Sequence, residues 1–391
     1  MRSHPSTTGA LRRVIFRVFP KFAARVSCIG GISLFTSAIL QAQTLDEEIE
    51  QIRAQHKLPA LAVYALKDNK LAGECAVGVR KLDSPEHVTP ADQWHIGSCT
   101  KSMTATLAAL LVSDGKLKWN TTVGEVFSDW RMAMPKEWQS VTLEQLLTHR
   151  SGAPGNAPPD LWATAGKHIG TPTEQRTAFV HGLVTRPPEA PPGSKYIYSN
   201  QGFAIAGAMM ERITRRPWED LMREKLFKPL KMDSAGFGAP AAVGKVDQPW
   251  GHRSESDKLI PVPGGPGGDN PPAIGPAGTV HCSLADWAKY AAIHAAGERS
   301  GWGTLKPDAF VKLHTSPEGQ DYAMGWGVTN RDWAGGTAFQ HNGSNTNFFA
   351  DIWIAPNKNA VFISATNAGN DDAQKACDEA VGVLVKRFAG K

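Results

Sequence analysis

In the stretch HIGSCTKSM, residues 95–103, Ser98 and Lys101 stand three apart where a run rich in Ala, Leu and Met begins. On a helix, residues at that spacing share a face with Cβ atoms about 5–6 Å apart. A hydroxyl and an amine can therefore meet there, with the hydroxyl at the positive end of the helix dipole. A serine is a poor nucleophile at neutral pH until a base takes its proton. Lysine can be that base only as the neutral amine, which requires burial or a neighbouring cation. The spacing alone is common: ordinary Ser and Lys frequencies give about one or two chance matches in a chain of this size. Ser113 and Lys116 form a second match at the polar end of the same run, and that pair reads as a solvated helix terminus.

Two further motifs follow at suitable distances. GSKYIYSNQGFAIAG carries Tyr198-Ser199-Asn200 just ahead of an apolar helical run. A phenol and a carboxamide presented from one loop can pass a proton and hold a substrate amide. Alone, the tripeptide fits equally a tyrosine packed at a helix start with Asn200 as N-cap. FQHNGSNTNFFADIW carries His341-Asn342-Gly343 at a strand end, where glycine permits close approach of another backbone. His-x-Gly recurs at His95–Gly97 and His168–Gly170, so the order, the spacing and the strand that follows carry the inference.

The elements that must position these groups are partly legible. TLDEEIEQIRAQHKLP opens on Thr-x-x-Glu, with Leu45, Ile49 and Ile52 at helical spacing, and predicts a helix stopped by Pro59. Two apolar segments around Asp68-Asn69 predict a hairpin. From Ser98, Met103, Leu107, Leu110 and Leu111 mark one face of a helix that Gly115 ends. Residues of roughly 120–300 read as helical fragments divided by Pro/Gly-rich loops; VTLEQLLTHRSG and NQGFAIAGAMMERITRRP are the clearest helices. PVPGGPGGDNPPAIGPAG, residues 261–278, reads as loop. TAFQHNG, NFFADIWIAP and NAVFISATN predict three strands, the last two joined at Pro356–Asn359, before a closing amphipathic helix. Strands at both ends with helices between predict a sheet made by the chain termini and a helical insertion.

Of 391 residues, 41% are apolar and 20% charged, which is the composition of a globular chain. Much of the +5 net charge lies in the first 25 residues, and no basic stripe with interleaved aromatics remains, so nucleic acid is not an expected partner. Residues 1–42 read as a secretory signal: basic residues, then a short apolar run with Ser and Gly, then small residues, with cleavage after Ala42. An uncleaved membrane anchor stays open. The twin arginine Arg12-Arg13 has a poorly matching sequel, and Cys28 lacks the context of a lipidated cysteine. No stable membrane span is expected after cleavage, and the location is periplasmic or extracellular. Cys75, Cys99, Cys282 and Cys377 have wide spacings that fit small buried residues, with one disulfide open in an oxidising compartment. The histidines show no metal-ligand spacing, so no metal or other cofactor is expected.

Ser-x-x-Lys, Tyr-x-Asn and a Lys/His-x-Gly strand, in that order, resemble the serine β-lactamase and penicillin-binding protein superfamily. The Tyr-Ser-Asn form, the length, and the phrases TLEQLLTHRSGAPG, PPGSKYIYSNQGF, GPAGTVHCSLADWAKY and YAMGWGV are similar to its class C-like branch, which also holds D,D-peptidases, D-aminopeptidases and esterases. The resemblance runs from about residue 47 to 388. It implies an α/β (α+β) fold: an antiparallel sheet from the chain termini, flanked by helices, with an all-α region inserted at roughly 115–300, all within one catalytic domain spanning 43–391. It implies Ser98 as the acylated nucleophile, Lys101 as its proton acceptor and Tyr198 as general base or proton shuttle. Asn200 would hold a substrate amide, and His341 would complete the hydrogen-bond network. The oxyanion hole would be the N–H groups of Ser98 and of Ser344, the residue after Gly343. Asn156 falls where class C enzymes keep a substrate-binding amide.

Position 341 departs from most class C β-lactamases, which carry Lys-Thr-Gly there. A histidine, near pKa 6.5 when unperturbed, is mostly neutral at pH 7 and anchors a β-lactam carboxylate less well. Arg150, Lys195 and Arg331 are the candidate replacements for that charge. Cys99, about 100° round the helix from Ser98, reads as a packed residue. The expected substrate is a small ester, an amide or a β-lactam, a peptidoglycan-derived peptide among them. Esterase or peptidase activity ranks above a class C-like β-lactamase proper. The alternatives are a penicillin-binding sensor or binding module that acylates without turnover, and a non-catalytic scaffold.

Overall fold

Thr44 and Glu47 close a capping box ahead of α1, Leu45–Gln55: the Glu47 N–H donates to the Thr44 hydroxyl at 3.2 Å and the Thr44 N–H to the Glu47 carboxylate at 2.8 Å. Two donors that a helix start leaves open are thereby satisfied. The computed structural model describes residues 43–256 and 258–390; the expected signal peptide and its cleavage point lie outside the described residues.

After α1, β1 (Ala60–Lys67) and β2 (Lys70–Gly78) form the expected hairpin. Asp68 and Asn69 turn it with φ of 49° and 59°, the left-handed pair of a two-residue turn whose twist suits antiparallel strands. Three short strands, β3 (Gln93–His95), β4 (Gly236–Phe237) and β7 (Val280–Ser283), make a small sheet in the order β3-β7-β4, and β5 (Gly251–Glu255) pairs with β6 (Lys258–Val262). The C-terminal strands β8 (Gly327–Arg331), β9 (Gly336–Ser344), β10 (Phe349–Ala355) and β11 (Ala360–Thr366) complete the main sheet. Its order is β2-β1-β11-β10-β9-β8, antiparallel throughout. Leu61 pairs with Thr366 and Lys67 with Ala360, so the chain's two ends share one sheet, as expected.

Both faces of that sheet are covered. Val361, Ile363 and Ala365 point into the larger core, while Ala360 and Phe362 point to a second one with Ile49 of α1 and Cys377 and Leu384 of the closing helix Asp371–Phe388. A strand buried on both sides loses polar alternation, which is why β11, buried at every position, is apolar at five of its seven.

The helical region holds to about residue 231, with capping boxes at Thr122, Thr142 and Thr171 starting three of its helices. Beyond it, residues 236–283 carry four short strands within the region expected to be all helical. They are too short and too Gly/Pro-interrupted to show a period-two pattern. The segment 261–278, expected to be loop, carries short regular pieces instead: Pro261 and Val262 end β6, 3₁₀ turns form at Pro266–Gly268 and Pro272–Ile274, and one helical turn follows at Gly275–Gly278.

Candidate active site

The helix α2, Thr100–Ser113, follows a 3₁₀ turn at Gly97–Cys99. The apolar stripe expected on one face is an understatement, because every residue from Thr100 to Leu111 is buried. The helix threads the large core between the main sheet and the helical layer, its buried Ser102, Thr104 and Thr106 hydroxyls donating to the Cys99, Pro276 and Ser102 carbonyls. Lys101 goes in with it and is 0% exposed. Ser98, at its mouth, is half-buried, whereas Ser113 and Lys116 at the other end are exposed.

The Lys101 amine has three polar neighbours: Ser98 Oγ at 3.0 Å, Asn200 Oδ1 at 2.7 Å and the Ala277 carbonyl at 2.8 Å. Burial is the main cause that lowers its pKa to about 7. Both protonation states fit the cage. An ammonium donates to all three oxygens. A neutral amine donates to Asn200 and Ala277, which accept only, and turns its lone pair to the Ser98 O–H. The aromatic faces of Tyr198 and Phe203 lie 4.7 Å and 5.7 Å from Nζ.

Tyr198 and Asn200 arrive together because Ser199, not Asn200, caps the helix Asn200–Thr214, its hydroxyl accepting from the Gly202 N–H at 3.2 Å. The Ser199 N–H donates to His149 Nδ1 at 3.1 Å, and its hydroxyl to the Pro154 carbonyl at 2.7 Å, which pins the loop before the helix. The Tyr198 phenol interacts with the Ser98 hydroxyl, and burial holds its pKa above the ordinary range, so it keeps its proton at neutral pH. Asn156 lies in the separate loop that follows Pro154, and it is exposed.

β9 brings the third motif. A Cβ on Gly343 would lie 2.6 Å from Ser98 N, and one on Gly97 would lie 2.4 Å from Ser344 N. The end of β9 and the turn before α2 thus pack backbone to backbone, which only glycines at both positions permit. Gly97 also adopts φ +50°. The backbone nitrogen of Ser98 thus packs against Gly343 and that of Ser344 against Gly97. His341 Nδ1–H donates to the Asn342 carbonyl, so Nε2 accepts from the Tyr322 O–H at 3.0 Å. Burial, then the charge on Lys101, depress the imidazole to about 3, and it is neutral at pH 7.

Tyr322, His149 and the Ala277 carbonyl are site groups that spacing alone did not single out. Tyr322 packs against His149 at 4.9 Å and Tyr196 at 5.8 Å between ring centroids, and His149 against Tyr198 at 4.4 Å. These rings wall the approach to Ser98 with aromatic surface. The signal available was positional: all three lie in the phrases THRSG, GPAG and YAMGWG.

Arg150 donates to the Gly193 carbonyl, Lys195 is exposed, and Arg331 lies 5.2 Å over Trp353. Cys75, Cys99, Cys282 and Cys377 are free thiols, all buried. Cys99 faces the His341 carbonyl at 3.4 Å, and burial pushes its thiol up, which makes it a packed residue. Among the described residues no acidic, His or Cys group could hold a metal ion, and no helix is long and apolar enough to cross a membrane. A groove lined by Trp130, Glu211, Arg212 and Arg223 contains none of the residues that surround Ser98.

The family model described as Beta-lactamase matches residues 45–385. A protein named unguisins hydrolase ungD′, from Aspergillus campestris, is 28% identical over 347 residues, covering 83% of this chain and 61% of its own length. Penicillin-binding protein 4 of Amycolatopsis lactamdurans is 27% identical over 332 residues, covering 83% of this chain and 84% of its own. The chain therefore spans less than two thirds of the first of these relatives. Among solved structures, an octameric penicillin-binding protein homologue from Pyrococcus abyssi superposes with TM-score 0.72 at 23% identity, over 89% of this chain and 78% of the other. SurE gives 0.71 at 21% identity, over 89% and 75%, and has also been solved with D-Leu. These two likenesses are of fold.

Proposed function

The chain belongs to the beta-lactamase family, and we propose that it is a serine hydrolase working through an acyl-enzyme on Ser98. The observation that carries this reading is the fully buried Lys101 amine, lowered to about 7 and 3.0 Å from Ser98 Oγ. Neutral Lys101 accepts the Ser98 proton as Oγ adds to the substrate carbonyl carbon. The Ser98 and Ser344 N–H groups receive the oxyanion; such a donor is worth about 3–4 kcal/mol in the transition state. Tyr198, which keeps its proton, passes one to the departing oxygen or nitrogen while Lys101 resupplies it. Water then enters by the reverse route and frees Ser98.

The substrate we assign is an ester or amide, D-amino-acid peptides included, whose leaving group carries no carboxylate near the scissile bond. Neutral His341 occupied by Tyr322 and the aromatic walls favour this over a dedicated β-lactamase. The relatives' names, a hydrolase of unguisins and a penicillin-binding protein, support hydrolytic chemistry at such a site, and the SurE structure with D-Leu is in keeping with a D-amino-acid ligand. A penicillin-binding module that acylates and then stalls is the second reading, favoured by the relative of that name. We further propose export, with residues 1–42 removed; N-terminal sequencing of the protein from its native host tests this, and retention of those residues would refute cleavage. For the chemistry, p-nitrophenyl acetate, a D-alanine anilide and a chromogenic cephalosporin are compared with and without Ser98→Ala. Turnover of the first two at a higher kcat/KM than the third supports the assignment, and the reverse ranking makes the protein a β-lactamase.

A further inference from the structure

Behind Ser98, three segments of the chain are tied together by side chains the proposed mechanism does not use. His95 ends β3 and is 0% exposed. Its Nδ1 accepts from the Gly97 N–H at 3.1 Å, so the ring proton of the neutral imidazole sits on Nε2. That nitrogen lies 2.9 Å from Asp269 Oδ1, whose side chain is 4% exposed. The N–H points off the oxygen's line, so the two meet as a close electrostatic contact more than an aligned hydrogen bond. The same Oδ1 accepts from Asn345 Nδ2 at 2.9 Å. Asn345 Oδ1 in turn accepts from the N–H groups of Asn347 at 3.1 Å and Phe348 at 3.0 Å, which shapes the chain just after Ser344.

The chain of contacts begins at the residue before Ser98 and ends at the residue after Ser344, with an aspartate from the segment 261–278 between them. It is an aspartate–histidine pair aimed at a backbone amide. Burying a carboxylate, an imidazole and a carboxamide is costly unless each is directed to a partner, and apolar side chains would hold β3 against its neighbours at less cost. What this arrangement supplies is geometry. Oxyanion donors act only when they lie about 2.7–3.1 Å from the oxygen, and a misplacement of about 1 Å can cost a hundredfold in rate.

We propose that His95, Asp269 and Asn345 are positioning residues that set the gap between the Ser98 and Ser344 N–H groups, making the Pro/Gly-rich segment that carries Asp269 part of the reaction's machinery. The proposal rests on the acyl-enzyme reading of Ser98. It concerns the transition state, so it must appear in kcat and leave KM alone. It must appear equally in the affinity of phenylboronic acid, which adds Ser98 Oγ to boron and puts a B–O oxygen where the oxyanion would be.

The test uses the full chain with p-nitrophenyl acetate and phenylboronic acid, and the variants Asp269→Asn, His95→Phe and His95→Asn. Asp269→Asn and His95→Phe should lower kcat ~10–100-fold with KM within about twofold, and raise the boronate inhibition constant by the same factor. His95→Asn, whose amide oxygen can stand in for Nδ1 towards Gly97, should recover part of both. If His95→Phe does not fold, the isosteric Asp269→Asn decides. Folded variants with unchanged kcat, or with reduced kcat and unchanged boronate affinity, would overturn the proposal. Ser98→Ala in the same assay separates the two levels. Hydrolysis surviving there overturns the acyl-enzyme reading itself, whereas loss there beside an unaffected Asp269→Asn overturns only the positioning role.

Discussion

A lysine amine sealed from water and surrounded by oxygens that fit either protonation state is built to exchange one proton. On the proposed mechanism the neutral amine is the working form, so kcat/KM should rise with pH through about 7, the value burial imposes on Lys101, and level off above it. A pH–rate profile flat between 5.5 and 8.5 would remove Lys101 as the base. Lys101→Arg keeps the charge and cannot deprotonate, so a loss of ~100–10,000-fold is expected in ester turnover. His341→Lys replaces a neutral ring by a cation and should move selectivity towards carboxylate-bearing β-lactams by ~10–100-fold relative to p-nitrophenyl acetate, the worth of one charge-assisted hydrogen bond. A ratio that does not move would show that position 341 does not face the substrate. Ser98 and Lys101 were legible because i,i+3 spacing on a helix is itself a geometric statement. Tyr322 was not, since a tyrosine reaching a histidine from a separate loop leaves no spacing to read.

At the scale of elements, the site depends on the end of β9 meeting the turn before α2. Gly343→Ala would bring a Cβ to 2.2 Å from the Ile96 carbonyl and 2.6 Å from Ser98 N. We expect ~1–3 kcal/mol of destabilisation from overpacking and at least a ~100-fold fall in kcat as the donors separate, seen by thermal melting and ester turnover together. Wild-type turnover in this variant would place the oxyanion elsewhere. α1, the Asp68-Asn69 hairpin and β9 to β11 were readable from caps, turn residues and apolar runs, which are local signals. The four short strands of 236–283 and the path of 261–278 were not. Their conformation comes from tertiary partners, such as the Lys101 amine on the Ala277 carbonyl and the Thr104 hydroxyl on the Pro276 carbonyl at 2.7 Å. A Pro/Gly-rich stretch declares only that it is irregular.

Across the whole molecule, burial keeps several histidines neutral: His149, His252, His281, His294, His314 and His341 all have depressed pKa values. Unfolding lets each take a proton near pH 6.5, so the stability they lend is present above that pH and is lost as the pH falls towards the folded values. Each contributes roughly 1.4 kcal/mol per pH unit across its own window. Asp351, raised to about 7 by burial, acts with opposite sign and offsets about one of them. Urea melts at pH 7.5 and 5.5 should therefore show a loss of several kcal/mol at the lower pH, and equal midpoints would mean these rings are solvated. The decisive experiment is mass spectrometry of the protein and of its proteolytic digest after rapid acid quench of a reaction with a p-nitrophenyl ester, beside Ser98→Ala. We predict a mass increase of one acyl group on the peptide containing Ser98, with neither adduct nor turnover in the variant. Turnover by Ser98→Ala at the parent rate would contradict the account.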